Sequence, residues 1–350
     1  MCHAKSRGAV LLFLILLTGV ISASGASVIH QESPADEYER EGLEHLNARR
    51  YPEAIEAYRE VIRIRPTSWI AYTNISTAYT YLGKFQEAID AAQKAINLNP
   101  KNAVAYNNLG YALLQSGRTR ESTAPLKQAV LLDDKDVRSH LNLGSAYQLS
   151  GRYKEALDAY KEVIRVKPDD PEGYDAAGDM YTLTGQTKEA AEAFKQETQL
   201  SPNDARAFGK LGTIYMRMVD YPNAISAFKE VIRINPDSVQ GYSSLGQAYS
   251  MSGQHSHAIE TFKHLAQLRP NEPGAHNNLG MAYRMARRYD EAVVAYRQAV
   301  ALKAEYAEAV YGLGLSYLWL GNREAAQAQY DILKTLDADK AADLLKEMNK

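Results

Sequence analysis

Asparagine recurs in this chain at a spacing that invites a chemical reading. Asn74, Asn108 and Asn142 stand 34 residues apart, Asn278 lies four such steps further on, and Asn107 and Asn277 precede two of them in a Tyr/His-Asn-Asn-Leu-Gly string. An amide donates and accepts at once, so a row of amides on one surface binds the backbone of an extended peptide whatever its side chains. Asparagine is equally at home on a solvated helix face, and the sequence leaves both uses open. Arg206 and Lys210, four residues apart, put two cations on one helical face, a pair suited to a carboxylate or to plain solvation.

Other chemistry is thin. His257 and His264 are seven residues apart, which on a helix is about 10 Å of rise and too far for two ligands of one ion. His255 adds no matching carboxylate set, so neither a metal nor a cofactor is expected. The single cysteine is Cys2, and nothing downstream builds a disulfide or a thiol nucleophile. Glycine-rich phosphate loops, zinc-protease helices and nucleophile elbows are missing from the sequence, so the expectation is a protein that is not an enzyme.

The elements that must position these residues follow from composition and period. A chain of 350 residues with 45% apolar and 23% charged content has the makeup of a folded protein rather than a disordered one. Its formal charge of −2 provides no net positive field for nucleic acid or an anionic membrane. At the N-terminus, Lys5 and Arg7 precede an apolar run from Gly8 to Val20, and the small residues Ser22 to Ala26 follow. This is the order of a secretory signal, with cleavage expected after Ala26 and a linker over 27–34. The apolar run is shorter than the ~20 residues that span a bilayer comfortably, which favours cleavage; the alternative is an uncut anchor that tethers the protein to a membrane.

From there a 34-residue period governs the chain. Gly42, Gly110, Gly144, Gly178, Gly212, Gly246, Gly280 and Gly314 share one lattice, with Ser76 in its gap. Twelve residues on, Ala54, Ala88, Ser122, Ala156, Ala190, Ala224, Ala258, Ala292 and Ala326 form a second. A third is mostly proline, from Pro66 to Pro270, with Asp134, Ala304 and Ala338 as exceptions. The units are 35–68, 69–102, 103–136, 137–170, 171–204, 205–238, 239–272, 273–306 and 307–338, counted below as positions 1 to 34. Two apolar stripes of helical period per unit predict an antiparallel helix pair, in which small residues at positions 8 and 20 let the backbones approach. Proline at position 32 cannot continue the second helix. Pro125, inside a second helix, predicts either a kink or an adjusted first turn. The tyrosines of position 11, from Tyr79 to Tyr317, are expected to be packing residues. Residues 339–350 predict a capping helix with Ala341, Leu344, Leu345 and Met348 on its packed face.

This pattern closely resembles the tetratricopeptide repeat, carried in unit seven by Tyr242, Leu245, Gly246, Tyr249, Ala258, Phe262 and Pro270. The resemblance covers Ala35 to Ala338 and implies an all-α, right-handed superhelical α-solenoid. It also implies that first helices line the concave surface, exposing chiefly positions 2, 5, 6, 9, 12 and 13. The position-6 asparagines are similar to the asparagine ladder in the repeat domain of O-linked N-acetylglucosamine transferase, with no catalytic domain present. Only units two to four carry it unbroken, since Arg40, Ala176, Lys210, Ser244 and Gly312 hold position 6 elsewhere. The chaperone-tail carboxylate clamp of other repeat proteins needs Lys at position 5, which no unit has. The expected function is an exported scaffold, most naturally in a bacterial periplasm, that holds a partner protein or extended peptide in its groove and serves envelope or secretion complex assembly.

Overall fold

The computed structural model describes residues 33–350, so the expected targeting segment and nearly all of the linker lie outside the described residues. Among the described residues every regular element is an α-helix. The first helices are α1 (Pro34–Asn47), α3 (Trp69–Tyr81), α5 (Ala103–Gln115), α7 (Val137–Leu149), α9 (Pro171–Leu183), α11 (Ala205–Arg217), α13 (Val239–Met251), α15 (Pro273–Met285) and α17 (Ala307–Trp319). The second helices are α2 (Tyr51–Ile64), α4 (Phe85–Leu98), α6 (Thr119–Leu132), α8 (Tyr153–Val166), α10 (Thr187–Leu200), α12 (Tyr221–Ile234), α14 (His255–Leu268), α16 (Tyr289–Leu302) and α18 (Arg323–Leu336). A last helix, α19 (Ala338–Met348), follows. None of these helices is long and apolar enough to cross a membrane.

Local chemistry sets the ends. Most first helices start on a side chain that accepts from their own first turn, as Ser68 does from the Ala71 N–H and Asp136 from the Ser139 N–H. Ser33 and Asp36 form a reciprocal capping box, and α1 therefore begins at Pro34, inside the expected linker. The turn between paired helices requires a left-handed residue, and Gly83, Gly117, Gly151, Gly185, Gly253 and Gly321 supply it. Val219 does the same job at φ 60°, where a β-branched side chain is strained. Pro125 is the seventh residue of α6, past the first turn where an adjustment was expected, and the helix continues through it.

Paired helices approach through the position-8 lattice, and the structure shows what fills the gap. A Cβ built on Gly42, Gly178, Gly212, Gly246 or Gly280 would come within 2.5 to 2.9 Å of the ring at position 24, namely Tyr58, Phe194, Phe228, Phe262 and Tyr296. In these five units glycine is thus the seat for an aromatic ring, whereas Gly110 seats Leu126 and Gly314 seats Leu344. Unit two breaks the rule on both sides at once: its Ser76 faces Ala92 instead of a ring, and its hydroxyl donates to the Ala88 carbonyl at 2.8 Å. Each of the three phenylalanines is at most 3% exposed, and burial at that level stabilises by roughly 2–3 kcal/mol per side chain.

Hairpins then stack, with α2 packing on α3, α4 on α5 and so on along the chain. First helices also touch across units, α1 on α3, α3 on α5, α5 on α7, and α11 through α17 likewise, whereas successive second helices do not pack to that degree. First helices therefore form the inner layer and second helices the outer one, which makes the array a superhelical solenoid. The inner layer is loosest between α7, α9 and α11. Tyr147, Tyr249 and Tyr283 of position 11 are buried, and Arg152 and Arg288 cover two of these rings at 4.5 and 5.0 Å. α19 seals the end by packing Leu344 and Ala341 against Val310, Leu315 and Leu333. Leu345, expected on that packed face, is exposed, because the helix rotates it one residue past the contact.

Candidate functional site

Two adjoining grooves run along the inner layer and meet at Asp179. The first, about 490 Å³, is walled by α3, α5, α7 and α9 and includes Thr77, Asn107, Asn108, Asn142, Ser145 and Asp175. The second, about 460 Å³, is walled mainly by α9, α11 and α13 and includes Arg206, Gly209, Lys210, Thr213 and Arg217. Asn74, Asn277 and Asn278 line neither groove.

Position 6 is a strut between units at Asn108, Asn142 and Lys210. The Asn108 amide N–H group donates to the Thr73 carbonyl at 3.3 Å and to the Thr77 hydroxyl at 2.8 Å, both on the preceding first helix. Asn142 donates to the Asn107 carbonyl oxygen at 2.9 Å. Lys210 continues the pattern, donating to Asp175 and, at 2.8 Å, to Asp179. In each unit the partners lie at positions 5 or 9 of the unit before, so the signal in the sequence is an offset of 35 or 31 residues. Asn102 adds a further tie, capping α5 while donating to the Thr73 hydroxyl at 2.7 Å. Asn108 makes two amide N–H bonds and Asn142 one, and among the described residues the side-chain carbonyl oxygen of neither accepts a hydrogen bond. Asn277 and Asn278 form no such strut.

The two cations proposed for a carboxylate are already occupied. Lys210 is held by Asp175 and Asp179, and Arg206 lies 3.1 Å from Asp175 and 3.8 Å from both Glu197 and Asp204. Burial opposes the Lys210 charge, but the two aspartates outweigh it and hold the ammonium above its ordinary value. These ion pairs bridge α9 and α11 where the inner layer is loosest. Arg217, at the edge of the same groove, pairs with no carboxylate among the described residues.

Glu197 is the buried member of this cluster. It occupies position 27, where the other units carry Val61, Ala95, Ala129, Val163, Val231, Leu265, Ala299 and Leu333. It is 2% exposed, and its Oε2 has no partner. Burial pushes its carboxyl up to about 7, Asp175 adds to the rise, and Lys210 and Arg206 oppose it.

Gly209 differs from the lattice glycines. A Cβ there would meet only a Val231 methyl, at 3.9 Å, so no close packing requires its absence. Mid-helix glycine costs about 1 kcal/mol relative to alanine, and nothing in the packing offsets that cost.

The histidines are used structurally. His140 and His276 donate to the carbonyls of Asp134 and Pro270, and His264 and His257 lie against the Tyr242 and Tyr249 rings. No group of three or more His, Cys, Asp or Glu among the described residues is placed to hold a metal ion.

Comparison with known families matches models of the TPR repeat to residues 77–117 and 288–321. Models of the tetratricopeptide repeat match 103–136, 137–170, 183–239, 210–273 and 308–340. Comparison with curated proteins gives no match. Among solved structures, a tetratricopeptide repeat protein from Parabacteroides merdae is 17% identical with a TM-score of 0.49, the alignment covering 71% of this chain and 99% of that one. YrrB, described as a TPR protein with an unusual peptide-binding site, is 17% identical with a TM-score of 0.47 over 53% of this chain and 96% of its own. MamA from Desulfovibrio magneticus is 21% identical with a TM-score of 0.45 over 49% of this chain and 98% of its own.

Proposed function

Because the chain belongs to the tetratricopeptide repeat family, a protein–protein interaction scaffold, we propose that it holds an extended segment of a partner along its inner layer of first helices. The observation that carries this reading is that Asn108 and Asn142, whose side-chain carbonyl oxygens accept no hydrogen bond among the described residues, line a groove whose wall through units two to four is mostly uncharged. Such a wall accepts backbone N–H groups and asks little of the ligand's side chains. The work done is binding without turnover.

Export to a periplasm, with assembly of an envelope or secretion complex, is part of the same proposal. It rests on the charged, apolar and small-residue order of residues 1–26. Intact mass of the protein recovered from its native host separates a chain starting at Ser27 from the uncut, membrane-tethered alternative.

The groove is tested by placing a photo-crosslinking residue at Ser145, on its wall, or at Asp158, exposed on α8. Capture from Ser145 and not from Asp158 is expected, and the reverse refutes the reading. A synthetic copy of the captured segment then binds the Asn108→Ala, Asn142→Ala double variant at least tenfold more weakly, since each lost hydrogen bond is worth about 1 kcal/mol. Unchanged affinity removes the amides from the site.

A further inference from the structure

We infer that Gly209 opens an anchor pocket for one large apolar side chain of the partner segment, and that Arg217 binds an acidic side chain beside it. The inference rests on the groove reading above and adds the chemistry of the ligand.

At position 5 the other units carry Glu39, Thr73, Asn107, Leu141, Asp175, Ser243, Asn277 and Tyr311, so at this position unit six alone lacks a side chain. Glycine is the poorest residue for a helix interior after proline, and here no neighbour needs the space. Beneath Gly209, Phe194, Ile214, Phe228 and Val231, each at most 6% exposed, form the apolar floor of the 460 Å³ groove. The volume falls in the range of small-ligand sites, and a buried aromatic or aliphatic anchor in such a pocket is the usual centre of an interface. The groove also sits where α7, α9 and α11 are least closely packed.

Charge selects the neighbour of that anchor. Arg206 and Lys210 face the same groove, but Asp175, Asp179, Asp204 and Glu197 already surround them. Arg217 is exposed on the groove edge and has no such partner among the described residues. A side-chain carboxylate one or two residues from the anchor would meet it.

The test is a random dodecapeptide array with both termini blocked, probed with the full chain. Wild-type protein is expected to enrich peptides with Phe, Trp, Leu or Met within two residues of Asp or Glu. Gly209→Ala weakens these peptides slightly and Gly209→Met by tenfold or more, at unchanged or higher melting temperature. Arg217→Ala keeps the apolar preference and loses the acidic one. Equal binding by Gly209→Met, or enrichment of Lys and Arg beside the anchor, overturns the proposal. Peptides that depend on Asn108 and not on Gly209 overturn the anchor alone. If the wild type retains no peptide, the groove reading falls and the anchor with it.

Discussion

Replacing Glu197 by Gln tests the electrostatics of the inner layer most directly. The carboxyl stands at about 7 in the folded chain against an ordinary value of 4.5. Below 4.5 it is protonated folded or unfolded and costs nothing. Between 4.5 and 7 the unfolded chain releases the proton while the folded chain keeps it, so stability falls as pH rises. Above that range the loss is complete, and at 1.36 kcal/mol per pKa unit it amounts to about 3 kcal/mol. At pH 5 the same arithmetic leaves a loss of about 1 kcal/mol. Gln preserves shape and cannot ionise, so the variant gains on the wild type by about 2 kcal/mol between pH 5 and pH 8. Other titrating groups are common to both proteins and cancel in the comparison. Urea unfolding at the two pH values reads the difference, and amide exchange in α10 and α11 locates it, because repeat arrays open unit by unit. A gap that is constant with pH, or a Gln variant that loses ground at pH 8, would show that Arg206 and Lys210 keep Glu197 ionised throughout.

Two further substitutions probe the scaffold. Gly178→Ala drives a methyl to within 2.6 Å of the Phe194 ring and is expected to destabilise by about 1–3 kcal/mol in urea unfolding, although alanine is the better helix former; a neutral result means the ring moves aside freely. Val219→Gly relieves a left-handed β-branched residue that is 63% exposed, and a rise of about 1 kcal/mol is expected in the same assay. No gain there would mean that Val219 packs usefully in its turn.

The helix pairs were legible because each requirement recurs every 34 residues. A ring at position 24 needs glycine at position 8, the break after each second helix admits proline at position 32, and both leave a mark in residue type. The reciprocal exception in unit two, Ser76 with Ala92, was present in the sequence as well, but only the packed hairpin shows the two changes to be one event. Candidate residues were legible as types and not as atoms. Asn108 and Asn142 read as amides free on both sides, yet Asn108 makes two inter-unit bonds and Asn142 one through their amide N–H groups, and their carbonyl oxygens accept nothing among the described residues. Arg206 and Lys210 read as two available cations, and the carboxylates that claim them include Asp175 and Asp179, on another helix at offsets of 31 or 35 residues. Glu197, Gly209 and Arg217 passed unnoticed, since an acid at one position 27, a glycine at one position 5 and one arginine at position 13 carry no period. By itself the sequence determined which helices form, how they pair and which stripe each buries, for these depend on side-chain size and backbone chemistry within a unit. Which polar atoms face the groove depended on stacking one unit on the next, because donors and charges are spent on whatever partner lies nearest in space.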